Sequence, residues 1–147
     1  MNVSADSASP SWVTRALHTS IHARVRRDSR VLDNPPLIGS EDLIAGRKIY
    51  LNDCVGCHGE TGKPSSDFGA TFYPPAPQFP LVGTEYDLKQ VFWVAKHGIR
   101  RTGMASQKFS YSDKELWLIA AFIKSVSDLP PEVHNTTSLG KLVGSSK

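Results

Sequence analysis

Apolar side chains recur at helical spacing in four places along this chain, and no stretch sustains the alternation of a strand. The first place is residues 12–27, where Val13, Leu17, Ile21 and Val25 repeat every four residues, with Trp12 and Ala16 beside them. The second opens at Ser40 as a cap, with Glu41 and Asp42 favouring the first-turn dipole. Leu43, Ile44, Ile49 and Tyr50 give it an apolar side that runs up to Cys54. The third opens at Thr84-Glu85-Tyr86-Asp87, read as a capping box with Asp in the usual place of Glu. Leu88, Val91, Phe92 and Ala95 form its buried face, and Gly98 ends it. The fourth opens at the capping box Ser112-Asp113-Lys114-Glu115, carries Leu116, Ile119, Ala120 and Ile123, and stops at Leu129-Pro130-Pro131. An all-α fold is expected.

Between these elements the chain breaks in ways that set its organisation. Asp33-Asn34-Pro35-Pro36 separates an N-terminal arm, residues 1–39, from a domain at 40–135, and 136–147 reads as a flexible tail. Residues 1–11 are small and polar and read as disordered. From Gly59 to Gly83 the run is rich in Gly, Pro and Ser, including Tyr73-Pro74-Pro75-Ala76-Pro77, and an irregular loop is expected there. A loop of that length in so small a domain suggests that it wraps something.

Charge changes the picture mainly by where it falls. The net charge is +3, but residues 1–39 hold five Arg against three Asp, while 40–135 hold ten Lys and Arg against eleven Asp and Glu. The domain is therefore close to neutral, and no basic patch argues for a nucleic-acid partner. The arm is basic as well as amphipathic, and three readings of 12–27 stay open. It is a helix lying at a membrane surface, a helix docking on a partner subunit, or an arm packed on its own domain. Attachment is the expectation carried forward, because so narrow a stripe makes no core by itself.

The only two cysteines fall in Cys54-Val55-Gly56-Cys57-His58, the C-x-x-C-H haem-attachment pattern. Two thiols one helical turn apart can each add to one vinyl group along an edge of the porphyrin. The histidine that follows is carried beneath the ring, within reach of the iron. A structural zinc site needs four ligands, and His18, His22, His97 and His134 have no finger-like spacing. A thioredoxin-type dithiol needs a strand before it, which the pattern lacks. A disulfide across two residues is conceivable but contributes little.

Ala45-Gly46-Arg47-Lys48-Ile49-Tyr50 followed by Cys54-Val55-Gly56-Cys57-His58-Gly59 resembles the first helix and haem loop of class I, mono-haem, bacterial cytochromes c. Ile99-Arg100-Arg101-Thr102-Gly103-Met104 is similar to that family's methionine loop, and 116–124 to its C-terminal helix. The resemblance spans about residues 40–128 and leaves the arm aside. It implies a small helical domain wrapped around one covalent haem c, with long Gly/Pro-rich loops. It implies His58 and Met104 as iron ligands, and the Pro77 carbonyl as acceptor for the proton on the other nitrogen of His58. It also implies that Gly46 and Tyr50 meet the last helix near Ile119 and Phe122. One departure concerns the loop's rigidity: Ala105 stands where the family often has proline.

A methionine alone is more often core filler than a ligand. Met104, however, sits in a loop and is the only methionine besides Met1. His97 is the nearest alternative ligand, and Trp93, Trp117, Tyr73 and Arg100 are candidates for contact with the haem or its propionates. With both axial positions filled by protein, the expected function is one-electron transfer between redox proteins, with no substrate turned over. The alternatives are a haem-based sensor of small ligands, or a fixed cytochrome subunit of a membrane-associated oxidoreductase. Haem attachment of this kind takes place outside the cytoplasm, so a periplasmic or other extracytoplasmic setting, such as a respiratory chain, is expected. An export signal or anchor preceding Met1 is also expected, since 1–10 has neither the basic start nor the apolar run of a signal peptide.

Overall fold

A computed structural model describes residues 9–126 of the chain. Its elements are α1 (Ser11–Ser29), α2 (Ser40–Asp53), α3 (Val55–His58), α4 (Asp67–Ala70), α5 (Phe79–Val82), α6 (Leu88–His97) and α7 (Asp113–Ser125). No strand occurs among the described residues. The expected tail at 136–147, the stop at Leu129-Pro130-Pro131, His134 and most of the expected disorder at 1–11 lie outside them.

The core forms where α2 and α6 both pack against α7. Gly46 makes the α2 crossing close: a Cβ there would run into the Leu118 carbonyl and come within 3.2 Å of the Phe122 Cβ. One turn later Tyr50, 1% exposed, sets its ring 5.1 Å from that of Phe122. On the other side of α7, Trp117 stacks on Phe92 of α6 with ring centroids 3.9 Å apart. Enclosed in this way, α7 buries Leu118, Ala121 and Phe122 as well as the expected Leu116, Ile119, Ala120 and Ile123.

The helix ends show which local signals the chain uses. Ser112 caps α7 as expected: its hydroxyl accepts from the Glu115 N–H, and the Glu115 carboxylate accepts from the Ser112 N–H at 2.8 Å. At α6 the cap is three residues later than expected. Asp87, not Thr84, is the cap; its carboxylate accepts from the Gln90 N–H at 2.9 Å, and Gln90 answers at 3.1 Å. At α2, Ser40 is the first helical residue rather than the cap, and the Asp42 carboxylate accepts from the Gly39 N–H at 2.9 Å. Gly98 ends α6 with φ 65°, a conformation that costs glycine least. The run from 59 to 83 is not wholly irregular, for it contains the single turns α4 and α5.

The arm packs on its own domain. Val25 is 1% exposed, and α1 lies against α6. Beyond the helix, the Lys89 ammonium donates to the Leu32 carbonyl at 3.0 Å. Nearer its start, Thr14 and Tyr73 share a hydrogen bond between hydroxyls at 2.5 Å. The stripe divides: Val25 is buried and Val13 half-buried, while Leu17 and Trp12 are 53% and 72% exposed. A strict four-residue repeat advances by roughly 40° per step around a helix of 3.6 residues per turn, so such a stripe cannot lie wholly on one flat partner.

Candidate functional site

The α2 helix breaks at Cys54, where the backbone turns to φ −109°, and α3 resumes at once. Cys54, Cys57 and His58 thus follow one another around about one helical turn, and all three line a single cleft. The cleft's other lining comes from two distant segments. Pro74, Pro75, Ala76 and Pro77 supply one wall, and Ile99, Thr102, Gly103 and Met104 another. Ile21 of α1 and Phe72 add apolar surface. The walls are thus largely apolar, with two sulfurs on one segment, an imidazole beside them and a thioether on a separate loop.

The imidazole is held from behind. His58 Nδ1 lies 2.9 Å from the Pro77 carbonyl, to which it donates, leaving Nε2 with its lone pair. Its ring stacks on Phe79, with centroids 4.6 Å apart and planes 14° from parallel. Burial lowers the proton affinity of His58 more than the Pro77 carbonyl raises it, which favours the neutral ring, the form that binds metal.

Below the motif, side chains pin the backbone of the loop. The Tyr50 hydroxyl lies 2.7 Å from the Gly59 carbonyl and 3.1 Å from that of His58. Gln78 is a clamp: its amide nitrogen donates to the carbonyls of Cys57 and Ala76, both at 2.9 Å, and its oxygen accepts from the Ser66 N–H at 2.7 Å. Ser66 in turn donates to the Gly56 carbonyl. Gly69 sits so close to the Cys57 carbonyl that a side chain would collide with it. Gln78 and Ser66 carry no sequence signal beyond their place in a Gly/Pro/Ser-rich run, and their role escaped the sequence reading.

The methionine loop closes on itself without a proline. The Ile99 N–H donates to the Met104 carbonyl at 2.9 Å, and the Met104 N–H donates to the Thr102 hydroxyl at 3.1 Å. That hydroxyl donates onward to the Ile99 carbonyl at 2.8 Å. Arg101 takes a left-handed conformation, φ 65°, which a non-glycine residue adopts only when its surroundings fix it. Gly98 lies against the backbone of Met104, Ala105 and Ser106, leaving no space for a Cβ. The role expected of a proline after Met104 is thus filled by this set of hydrogen bonds.

Other candidates lie elsewhere. His97 does not line the cleft; it packs on Trp93, with ring centroids 4.9 Å apart. Trp93, Trp117 and Arg100 do not line it either, and Tyr73 sits between two lining residues, Phe72 and Pro74. Nor does the cysteine pair suit thiol chemistry. Burial first, then the neighbouring Asp53 and Cys57, push the Cys54 thiol up to about 11, whereas a reactive dithiol needs a lowered value.

These residues suit a covalently held haem. Two sulfurs at motif spacing, a neutral imidazole oriented from behind, a thioether and apolar walls form a donor set that no dithiol or structural zinc centre requires. Among known families, residues 41–123, more than half of the chain, match the one described as cytochrome C oxidase, cbb3-type, subunit III.

Proposed function

Because the chain belongs to the family of cytochrome c oxidase, cbb3-type, subunit III, a c-type cytochrome that carries electrons on covalent haem c, we propose that its one haem is held through Cys54 and Cys57 with His58 and Met104 as axial ligands. The observation that carries this reading is the cleft itself, which these four residues from two segments line together. Bound there, the haem iron supplies a one-electron couple, and a thioether ligand favours its reduced form.

The chain's own residues account for the rest. Pro77 fixes the orientation of His58 and strengthens it as a donor. Thr102 and Ile99 tie down the backbone on both sides of Met104, so the ligand stays in place as charge comes and goes. With His58 and Met104 both holding the iron, no position would be left for oxygen, peroxide or a signalling gas. That favours an electron carrier, or an electron-carrying subunit, over a sensor. Its partners are redox proteins or the other subunits of a complex.

Cytochromes of the c type are usually extracytoplasmic, and no described helix is long and apolar enough to cross a membrane. The N-terminal half of α1, where Trp12 and Leu17 are exposed, offers apolar surface for a membrane or a partner subunit. Carbon monoxide tests the ligand assignment. The reduced protein is expected to keep its spectrum under the gas; a shift to a carbon monoxide adduct would favour the sensor.

A further inference from the structure

One cluster of metal-binding side chains stands apart from the haem cleft. On α1, His18 and His22 sit one turn apart and face each other, with their Nε2 atoms 3.0 Å apart and ring centroids 4.1 Å apart. Among the described residues, neither ring meets a carboxylate in an ion pair. The ring of His22 also lies 4.8 Å from that of Tyr86.

We propose that His18 and His22 form a binding site for a divalent transition-metal ion of tetragonal preference, copper(II) above all. The argument is one of angle. An ion about 2.0–2.1 Å from each of two nitrogens 3.0 Å apart subtends roughly 94° between them. That is the angle between neighbouring ligands in a square-planar or octahedral set. Imidazole pairs in tetragonal geometry select copper(II) or nickel(II), and copper(II) is bound most tightly in the divalent series.

On binding, the ring that donates its Nε2–H moves that proton to Nδ1 through solvent, so both Nε2 lone pairs face the ion and no net proton is released. Among the described residues no third His, Cys, Asp or Glu completes the set, so water fills the other positions. The helix is prepared for this role, since burial of Val25 already holds α1 on the domain.

The test uses the full-length ferric holoprotein, in which the haem has no electron to give to copper(II). Copper(II) alone is titrated and followed by electron paramagnetic resonance, with the haem spectrum as a check on folding. One copper per chain is expected, with hyperfine coupling to two equatorial imidazole nitrogens. His18→Ala, at an exposed position, is expected to weaken binding at least roughly 10-fold, the smallest loss seen even for outer-sphere partners of metal ligands. His22→Phe keeps a ring against Tyr86 and is expected to do the same, while His97→Ala leaves binding unchanged. Zinc is expected to bind more weakly than copper. Copper affinity unchanged in His18→Ala and His22→Phe, or a loss in His97→Ala instead, would overturn the proposal, as would zinc binding as tightly as copper.

Discussion

The hydroxyl of Tyr50 lies 2.7 Å from the carbonyl of Gly59 and donates to it, joining the helix crossing to the haem loop through one side chain. The ring of that tyrosine packs on Phe122, and its oxygen holds the residue that follows His58. Core and site are therefore not independent here. A change at the crossing reaches the motif through this hydroxyl, which also lies 3.1 Å from the carbonyl of His58.

Tyr50→Phe isolates that bond, because it keeps the ring and removes the oxygen. It leaves a buried carbonyl unsatisfied, at a cost of about 1–3 kcal/mol. Denaturant unfolding is expected to show that loss with haem still attached. An unchanged midpoint would mean that the bond contributes nothing.

Gln78→Leu removes the clamp that joins Cys57, Ala76 and Ser66. Stability is expected to fall by about 1–3 kcal/mol. Because the same backbone carries the Pro77 carbonyl that orients His58, the reduction potential is expected to move as well. A loss of stability at constant potential would separate the clamp from the ligand.

The arm is expected to matter to the fold. Full burial of a valine is worth about 1.5–3 kcal/mol, and deleting residues 1–34 removes Val25, Ile21 and the Leu32 carbonyl that Lys89 binds. A clear fall in melting temperature is expected, with the haem more open to solvent on the side where Ile21 lines the cleft. An unchanged melting temperature, together with lost association with lipid or partner, would restore the attachment reading.

Tyr111 gives a stability contribution with a defined pH window. It donates to the Asp53 carboxylate, and that bond, with burial and nearby acidic charge adding, pushes its phenol up to about 12. The unfolded value is about 10. With the folded value raised, the contribution is whole below pH 10 and is lost as pH climbs from there towards 12. The difference in unfolding midpoint between parent and Tyr111→Phe is expected to shrink across that window. A difference that stays constant would mean that the bond survives ionisation.

Much of this was legible before the structure, and what escaped has physical reasons. The cysteine–histidine motif and the α7 capping box, Ser112 with Glu115, are dense local signals in which few residues carry the whole geometry. The α6 cap was ambiguous because Thr84 with Asp87 and Asp87 with Gln90 both fit a three-residue box. The single turns α4 and α5 are too short to have a period. Burial of α1 turned on which part of a winding stripe met α6, and spacing alone does not contain that. Gln78 holds the haem loop through backbone carbonyls, which leave no mark on the residues that own them.

The central claim is that a methionine from a distant loop completes the iron's ligand set. The most direct measurement is the visible spectrum of the oxidised protein beside that of Met104→Ala. A weak sulfur-to-iron charge-transfer band at the red end is expected in the parent at neutral pH and is expected to be absent from the variant. A variant that keeps the parent's band and spectrum would contradict the assignment and place another group at the iron.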